Sequence, residues 1–351
     1  MAQQTGKKVP VHVLTGFLGS GKTTLLNSIL QNPAFANSAV IINEFGEIGL
    51  DHHLVETGED TIIELSNGCL CCTVRGQLID TIESLLKRNP ERILIETTGL
   101  ADPAPVLQAL IASPVIGDDL VFSGLLTTLD VSNGISTMDR HSEASKQVAL
   151  ADKVILTKID ELTAKDVEKV LNKTMSALKL RNPAAQIVSK TAFLENLELY
   201  FSARDGLPNL PDVHDHFHHH HDINQHSEKI VATVLKTPTS ISRQQLDMFL
   251  DLVLSAHSAH ILRIKGLVQL AGEARPLVIQ GVGNRLSEPY FLKKWPTENQ
   301  TTQLVVFLED MPAEFIQRLF RGFFNIPQID TPDRNAMTDN PLSIAGFSPR
   351  K

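Results

Sequence analysis

Eight residues near the start of the chain, GFLGSGKT from Gly16 to Thr23, have the types and spacing of a phosphate-holding loop, G-x-x-x-x-G-K-[ST]. Gly16, Gly19 and Gly21 let backbone N–H groups turn inward around anionic oxygens, where a Cβ would obstruct the approach. Lys22 supplies a point charge between the outer phosphates, and Thr23 offers a hydroxyl to Mg²⁺. Ser20 and Thr24 belong to the same binding set. The strand-like VHVLT before the loop and the helix formers TLLNSILQN after it place it at a strand-to-helix junction. A helix that begins there directs its N-terminal dipole at the anion. The expected ligand is a purine nucleoside triphosphate with Mg²⁺.

A phosphate loop needs an acid on a neighbouring strand and a group that senses the γ-phosphate. RILIETTGLADP supplies both: Glu96 ends an apolar run, and Gly99 follows at a spacing that lets a backbone N–H meet the phosphate. Further on, TKID places Thr157, Lys158 and Asp160 just beyond another apolar run, in the form [NT]-K-x-D. An Asp there can accept from the N1 and N2 donors of guanine, which adenine lacks. The Lys stem can cover the base plane. GTP is therefore expected over ATP, with Lys22, Thr23, Glu96 and Gly99 as the catalytic set.

All three cysteines of the chain, Cys69, Cys71 and Cys72, fall in one C-x-C-C cluster. Thiolates so close can converge on one soft or borderline cation, with Zn²⁺ the commonest tetrahedral occupant and Cu(I) another. Three ligands leave one position open, which suits a metal that must leave. The loop following Asn43 carries Glu44 and contains Gly46 and Gly49 as hinges, so a bound γ-phosphate could order it and metal ligands on it would feel the nucleotide. Glu44 is a candidate metal ligand, with a switch or Mg²⁺-water role as the alternative. A second donor-rich stretch holds His214, His216, His218, His219, His220, His221 and His226 beside Asp215 and Asp222. It reads as a tether that collects or buffers metal, or as a solvated linker.

These residues need a scaffold, and the chain around them reads as one. Short β-branched runs alternate with helical stretches through the first two hundred residues, the rhythm of a doubly wound α/β sheet of the P-loop NTPase type. The pattern breaks into a Gly-, Pro- and His-rich stretch, then resumes as strands and helices of a smaller α+β domain. The expected division is 1–202 for the nucleotide domain, 203–227 for the His-rich linker, 228–328 for the C-terminal domain and 329–351 for a loose tail. In the second domain Arg263, Lys265 and Gly266 read as a strand-end turn with a solvated face, and Trp295 as packing. A hydrophobic fraction of 42% provides for a sizeable core, and a net charge of −8 argues against nucleic acid or an anionic membrane as partner. With no long apolar run and no leader-like start, the expected location is the cytoplasm.

Together, GFLGSGKTTLL, NEFGEIGLD, GCLCC, ETTGLADP, TKID, RIKG and QGVG make the chain resemble the CobW family of metal-handling P-loop GTPases, which includes the zinc-regulated GTPase metalloprotein activators. The resemblance runs from about residue 9 to 325. It implies a GTPase domain followed by a CobW C-terminal domain, metal bound by Cys69, Cys71 and Cys72 with Glu44 near the metal, and delivery of Zn²⁺ to a client metalloprotein. Cobalt insertion in cobalamin synthesis and metal buffering or sensing are the alternatives. Leu100 stands where Ras-like GTPases keep a water-orienting Gln, so slow intrinsic hydrolysis is expected.

Overall fold

The computed structural model describes residues 8–43, 62–65, 73–113, 119–201, 229–296, 298, 300–324 and 326. Its first sheet is built from β1 (Val9–Gly16), β2 (Ser38–Asn43), β3 (Ile62–Leu65), β4 (Arg92–Thr97), β5 (Leu120–Asp130), β6 (Lys153–Thr157) and β7 (Gln186–Ser189). The seven strands run parallel in the order β3-β2-β4-β1-β5-β6-β7. Strand β1 lies between β4 and β5, so helices cover both its faces, and it reads VPVHVLT rather than alternating apolar with polar. Packed around the sheet are α1 (Lys22–Leu30), α2 (Thr73–Leu86), α3 (Ala104–Ile111), α4 (Gly134–Arg140), α5 (Ser142–Leu150), α6 (Val167–Arg181), α7 (Lys190–Glu195) and α8 (Leu197–Tyr200). Helix α2 buries Leu78, Ile82 and Leu85, a stripe at helical spacing, against the sheet.

The ionisable residue in β1 is His12, which is buried with neither ring nitrogen hydrogen-bonded among the described residues and whose ring centre lies 4.5 Å from that of Phe201 in a tilted pair. Burial, with Lys153 and Arg92 adding repulsion, lowers its pKa to about 3. The unfolded chain therefore binds a proton below pH 6.5 that the folded chain refuses until about pH 3. Stability falls across that window as pH falls, at up to about 1.4 kcal/mol per pH unit. His12→Leu should remove this loss: its urea midpoint should gain on the wild type between pH 7.5 and pH 5, and a constant difference would refute the account.

The second sheet is antiparallel, with β11 (Arg285–Leu286), β10 (Leu277–Val282), β9 (Ile261–Val268), β13 (Thr302–Glu309) and β8 (Ile230–Thr237) in that order and β12 (Tyr290–Phe291) pairing with β10. One face is covered by α9 (Arg243–His257), which starts on a Ser242–Gln245 capping box, and by α10 (Ala313–Phe323). The other face lies against the nucleotide domain. Leu262, Val282, Val305 and Phe307 share one apolar core with Val11, Leu107, Leu110 and Leu150. Gly266 is required where β9 meets β13, since a Cβ there would collide with the Gln303 carbonyl. Trp295 caps a turn through a bond from its Nε1 to Ala274 O at 3.0 Å.

Arg263 and Lys265 do not form a solvated turn. Both lie inside β9 with 2% exposure and, two residues apart, project from the same face into the domain interface. Asp152, the residue before β6, accepts from Arg263 Nη2 at 2.6 Å and from Lys265 Nζ at 3.5 Å, and its other oxygen accepts from Leu125 N–H at 2.9 Å. Arg263 also donates to Leu150 O, and Lys265 to Ala184 O at 3.0 Å. A charged strand of this kind looks solvent-facing only while its partner, more than a hundred residues away, is unknown.

Candidate nucleotide and metal site

Parallel pairing alone assembles the site. In register, Leu14 stands opposite Glu96, Gly16 opposite Thr128, and Asp130 opposite Thr157, so β4, β5 and β6 deliver polar residues to the carboxyl edge of the sheet where β1 ends in the glycine loop. The chain leaves β1 through Gly16 at φ 147°, where a Cβ would collide with Thr128 and come within 2.7 Å of Ser20 Oγ. Gly19 and Gly21 also take positive φ, 71° and 88°. Gly21 opens α1, whose first turn holds no acidic residue, so its free amides remain available to an anion. Ser20 Oγ and Thr128 Oγ1 are 2.7 Å apart, and Thr157 Oγ1 donates to Ser20 O at 2.8 Å. Thr157 therefore anchors the loop from the strand that carries the TKID residues.

Lys22 is 9% exposed and its Nζ donates to Phe17 O at 3.4 Å. Thr23 Oγ1 donates to Glu96 Oε1 at 3.0 Å. A hydroxyl and a buried carboxylate meeting beside a phosphate loop are hard oxygen donors, the set that suits Mg²⁺. Gly99 abuts the loop so closely that a Cβ would lie 2.7–2.8 Å from Leu18. On the far side Lys158, held at φ 58°, donates to Asp130 Oδ2 at 2.9 Å, and Asp160 is exposed on the short turn Ile159–Glu161. Burial alone would raise the Asp130 carboxyl, but bonds from Lys158, Ser132 N–H and Asn133 outweigh it and hold the pKa below the usual range. Ser20, Thr128, Asp130 and Lys158 line a cavity of about 220 Å³ together with Leu18 and Gln147.

Asp130 and Gln147 were not among the sequence candidates. Asp130 had a readable signal, since LLTTLD ends an apolar strand on an acid as RILIE does. Gln147 had none, because a glutamine inside a helix is unremarkable until its neighbours are known. Cys69, Cys71, Cys72, Glu44 and the histidine run lie outside the described residues. Their flanks are described. Glu44 follows Asn43 at the end of β2, and the cysteines lie between Leu65 of β3 and Thr73 of α2. Asn43 stands opposite Leu65 on one side and Thr97 on the other, so both segments leave the sheet edge that carries Glu96.

Residues 10–188 match the CobW/HypB/UreG nucleotide-binding domain. The chain belongs to this family. Residues 230–324 match the cobalamin synthesis protein cobW C-terminal domain, which is the antiparallel sheet with its two helices. Among family members, the zinc chaperone YjiA of Escherichia coli K12 is 31% identical over 322 residues, covering 90% of this chain and 98% of the relative. The zinc-regulated GTPase metalloprotein activator 1 of Schizosaccharomyces pombe is 33% identical over 276 residues, covering 70% of this chain and 66% of the relative. In three dimensions the chain is similar to the Zn(II)-bound YjiA GTPase from E. coli, with a TM-score of 0.67, 25% identity and coverage of 90% and 99%. That likeness extends over both sheets, and the family's P-loop domain and C-terminal domain account for every described strand.

Proposed function

We propose that the chain binds Zn²⁺ at Cys69, Cys71 and Cys72 and, as a GTPase, uses its nucleotide cycle to deliver the ion to a client metalloprotein in the cytoplasm. Gly16, Gly19, Ser20, Gly21 and Thr24 surround the phosphates, Lys22 neutralises the outer ones, and Thr23 with Glu96 holds Mg²⁺. Gly99 senses the γ-phosphate. Thr157, Lys158 and Asp160 form the guanine site, and Asp130 orients Lys158 through its 2.9 Å bond. The relatives named as zinc chaperones support the choice of metal.

The observation that carries the reading is the strand register. The chain segments holding Glu44 and the cysteines leave β2 and β3 at the edge where β4 presents Glu96 to Thr23. An ordering of that edge by γ-phosphate and Mg²⁺ would bear on the metal ligands that follow it in the chain, with Glu44 as the candidate fourth. By linkage, whatever factor GTP adds to metal affinity, metal adds to GTP affinity, typically about 5–150-fold. Thiols must lose their protons to bind as thiolates, so loading should release protons and weaken as pH falls.

The test is Zn²⁺ affinity by competition titration, with Mg²⁺ throughout, in the presence of GDP and of a non-hydrolysable GTP analogue. At least a fivefold difference is expected. It should vanish when all three cysteines are Ser, while nucleotide binding survives. Equal affinities in the two nucleotide states would reject nucleotide-driven metal transfer.

A further inference from the structure

Helix α5 runs beside the segment that joins Glu96 to α3. Gln147 on that helix is 1% exposed, and its Nε2 donates to two carbonyls of that segment, Gly99 O at 3.1 Å and Ala101 O at 3.0 Å. The helix backbone is itself fixed at this residue, because Thr127 Oγ1 donates to Gln147 O at 3.0 Å. The preceding residue, Lys146, holds the same segment from outside, 3.6 Å from Asp102 Oδ2, and ties it to Glu309 at the end of β13 at 2.9 Å. Burial alone would lower the Lys146 ammonium, but Glu309 and Asp102 hold its pKa above the usual range, so the tie is charged at neutral pH.

A glycine does not fix its own backbone; the Gly99 N–H shares its peptide plane with Thr98 O, which accepts from Ala101 N–H at 3.2 Å, so its direction follows the backbone of residues 99–101, which must be held from outside. The two N–H bonds of one carboxamide, to the carbonyl of residue 99 and to that of residue 101, impose it. Only an amide of this length, donating twice, satisfies both carbonyls without bringing a charge into the core. We propose that Gln147 is a positioning residue for GTP hydrolysis, holding the Gly99 segment so that its amide meets the γ-phosphate. It acts through the segment and touches no reacting atom. This inference rests on the GTPase reading above and adds to it a residue that discriminates GTP from GDP.

Two variants test it, both checked for folding by thermal melting: Gln147→Leu, which removes the donors, and Gln147→Glu, which keeps the shape and replaces donors by acceptors. Measured are kcat and KM for GTP and the affinities for GDP and a non-hydrolysable GTP analogue. Two bonds lost at the segment predict an analogue affinity about tenfold weaker, GDP affinity within about twofold of wild type, and kcat at least tenfold lower. A buried carboxyl titrates high, and once protonated it regains one donor, so Gln147→Glu should recover relative to wild type as pH is lowered while Gln147→Leu should not. An unchanged analogue-to-GDP ratio overturns the proposal. So does an equal loss of both ligands, which would mark Gln147 as a packing residue. Absence of turnover in the wild type would overturn the GTPase reading itself, which the wild-type arm reports separately.

Discussion

Lys22→Ala should lower GTP turnover by about 10²–10³-fold, the usual cost of removing one preorganised charge from a site where negative charge develops. In the proposed site the β- and γ-phosphates would bring their charge into the loop from Gly16 to Thr23, where Lys22 is the one cationic side chain. In the present geometry its Nζ donates to Phe17 O within the loop over a long 3.4 Å, a bond that can give way to phosphate without rearranging the loop. The fold should survive, since β1 and α1 are held by Leu14, Leu25, Leu26 and Ile29 in the core. Lys22→Arg should not restore activity, because a planar fork does not replace a compact ammonium. Phosphate release under single-turnover conditions is the measurement. Turnover within fivefold of wild type would mean that the loop from Gly16 to Thr23 is not where GTP is hydrolysed.

Asp152→Ala should have the largest effect on stability, about 3–5 kcal/mol, because it leaves Arg263 and Lys265 buried without their counter-ion. The neighbouring charges also predict the pH dependence. Burial would raise the Asp152 carboxyl, but Arg263 and Lys265 hold it well below the usual range, so its contribution is present above about pH 4 and is lost in acid. Lys265 runs the other way. Burial outweighs the attraction of Asp152 and lowers its pKa from 10.5 to about 8, so the unfolded chain binds more protons between those values and stability rises with pH there. In the variant that rise should begin at lower pH, since Lys265 has lost its anion. Urea unfolding of both proteins from pH 6 to pH 10 is decisive, and a cost below about 1 kcal/mol at pH 7 would show that the pair is solvated.

The glycine loop at the strand-to-helix junction and the strand-ending Glu96 were legible because their signals are local in sequence. The loop motif fixes its own turn, and strand-ending acids advertise the carboxyl edge of a parallel sheet. What escaped depends on contacts between distant positions. Arg263 pairs with Asp152 across 111 residues, and Gln147 reaches Gly99 across 48. No spacing rule brings such pairs together, and a buried charge on a strand reads as exposed until its partner is found. The division between two packed sheets was legible in composition, but that their facing surfaces share one core was not, since apolar residues on β9, β10 and β13 satisfy either a private core or a shared one.

The placement of β1 has a consequence for how the chain is made. Residues 9–16 leave the ribosome well before the strands they pair with, since Val11 pairs with Ile93 and Val9 with Leu120. At translation rates of about 5–20 residues per second, the apolar strand behind the phosphate loop stays unpaired for on the order of ten seconds. Its shared core stays open until Phe307 has also been made. A nascent chain arrested before residue 120 should therefore be held by a chaperone that binds extended apolar segments, and one arrested beyond residue 324 should be released.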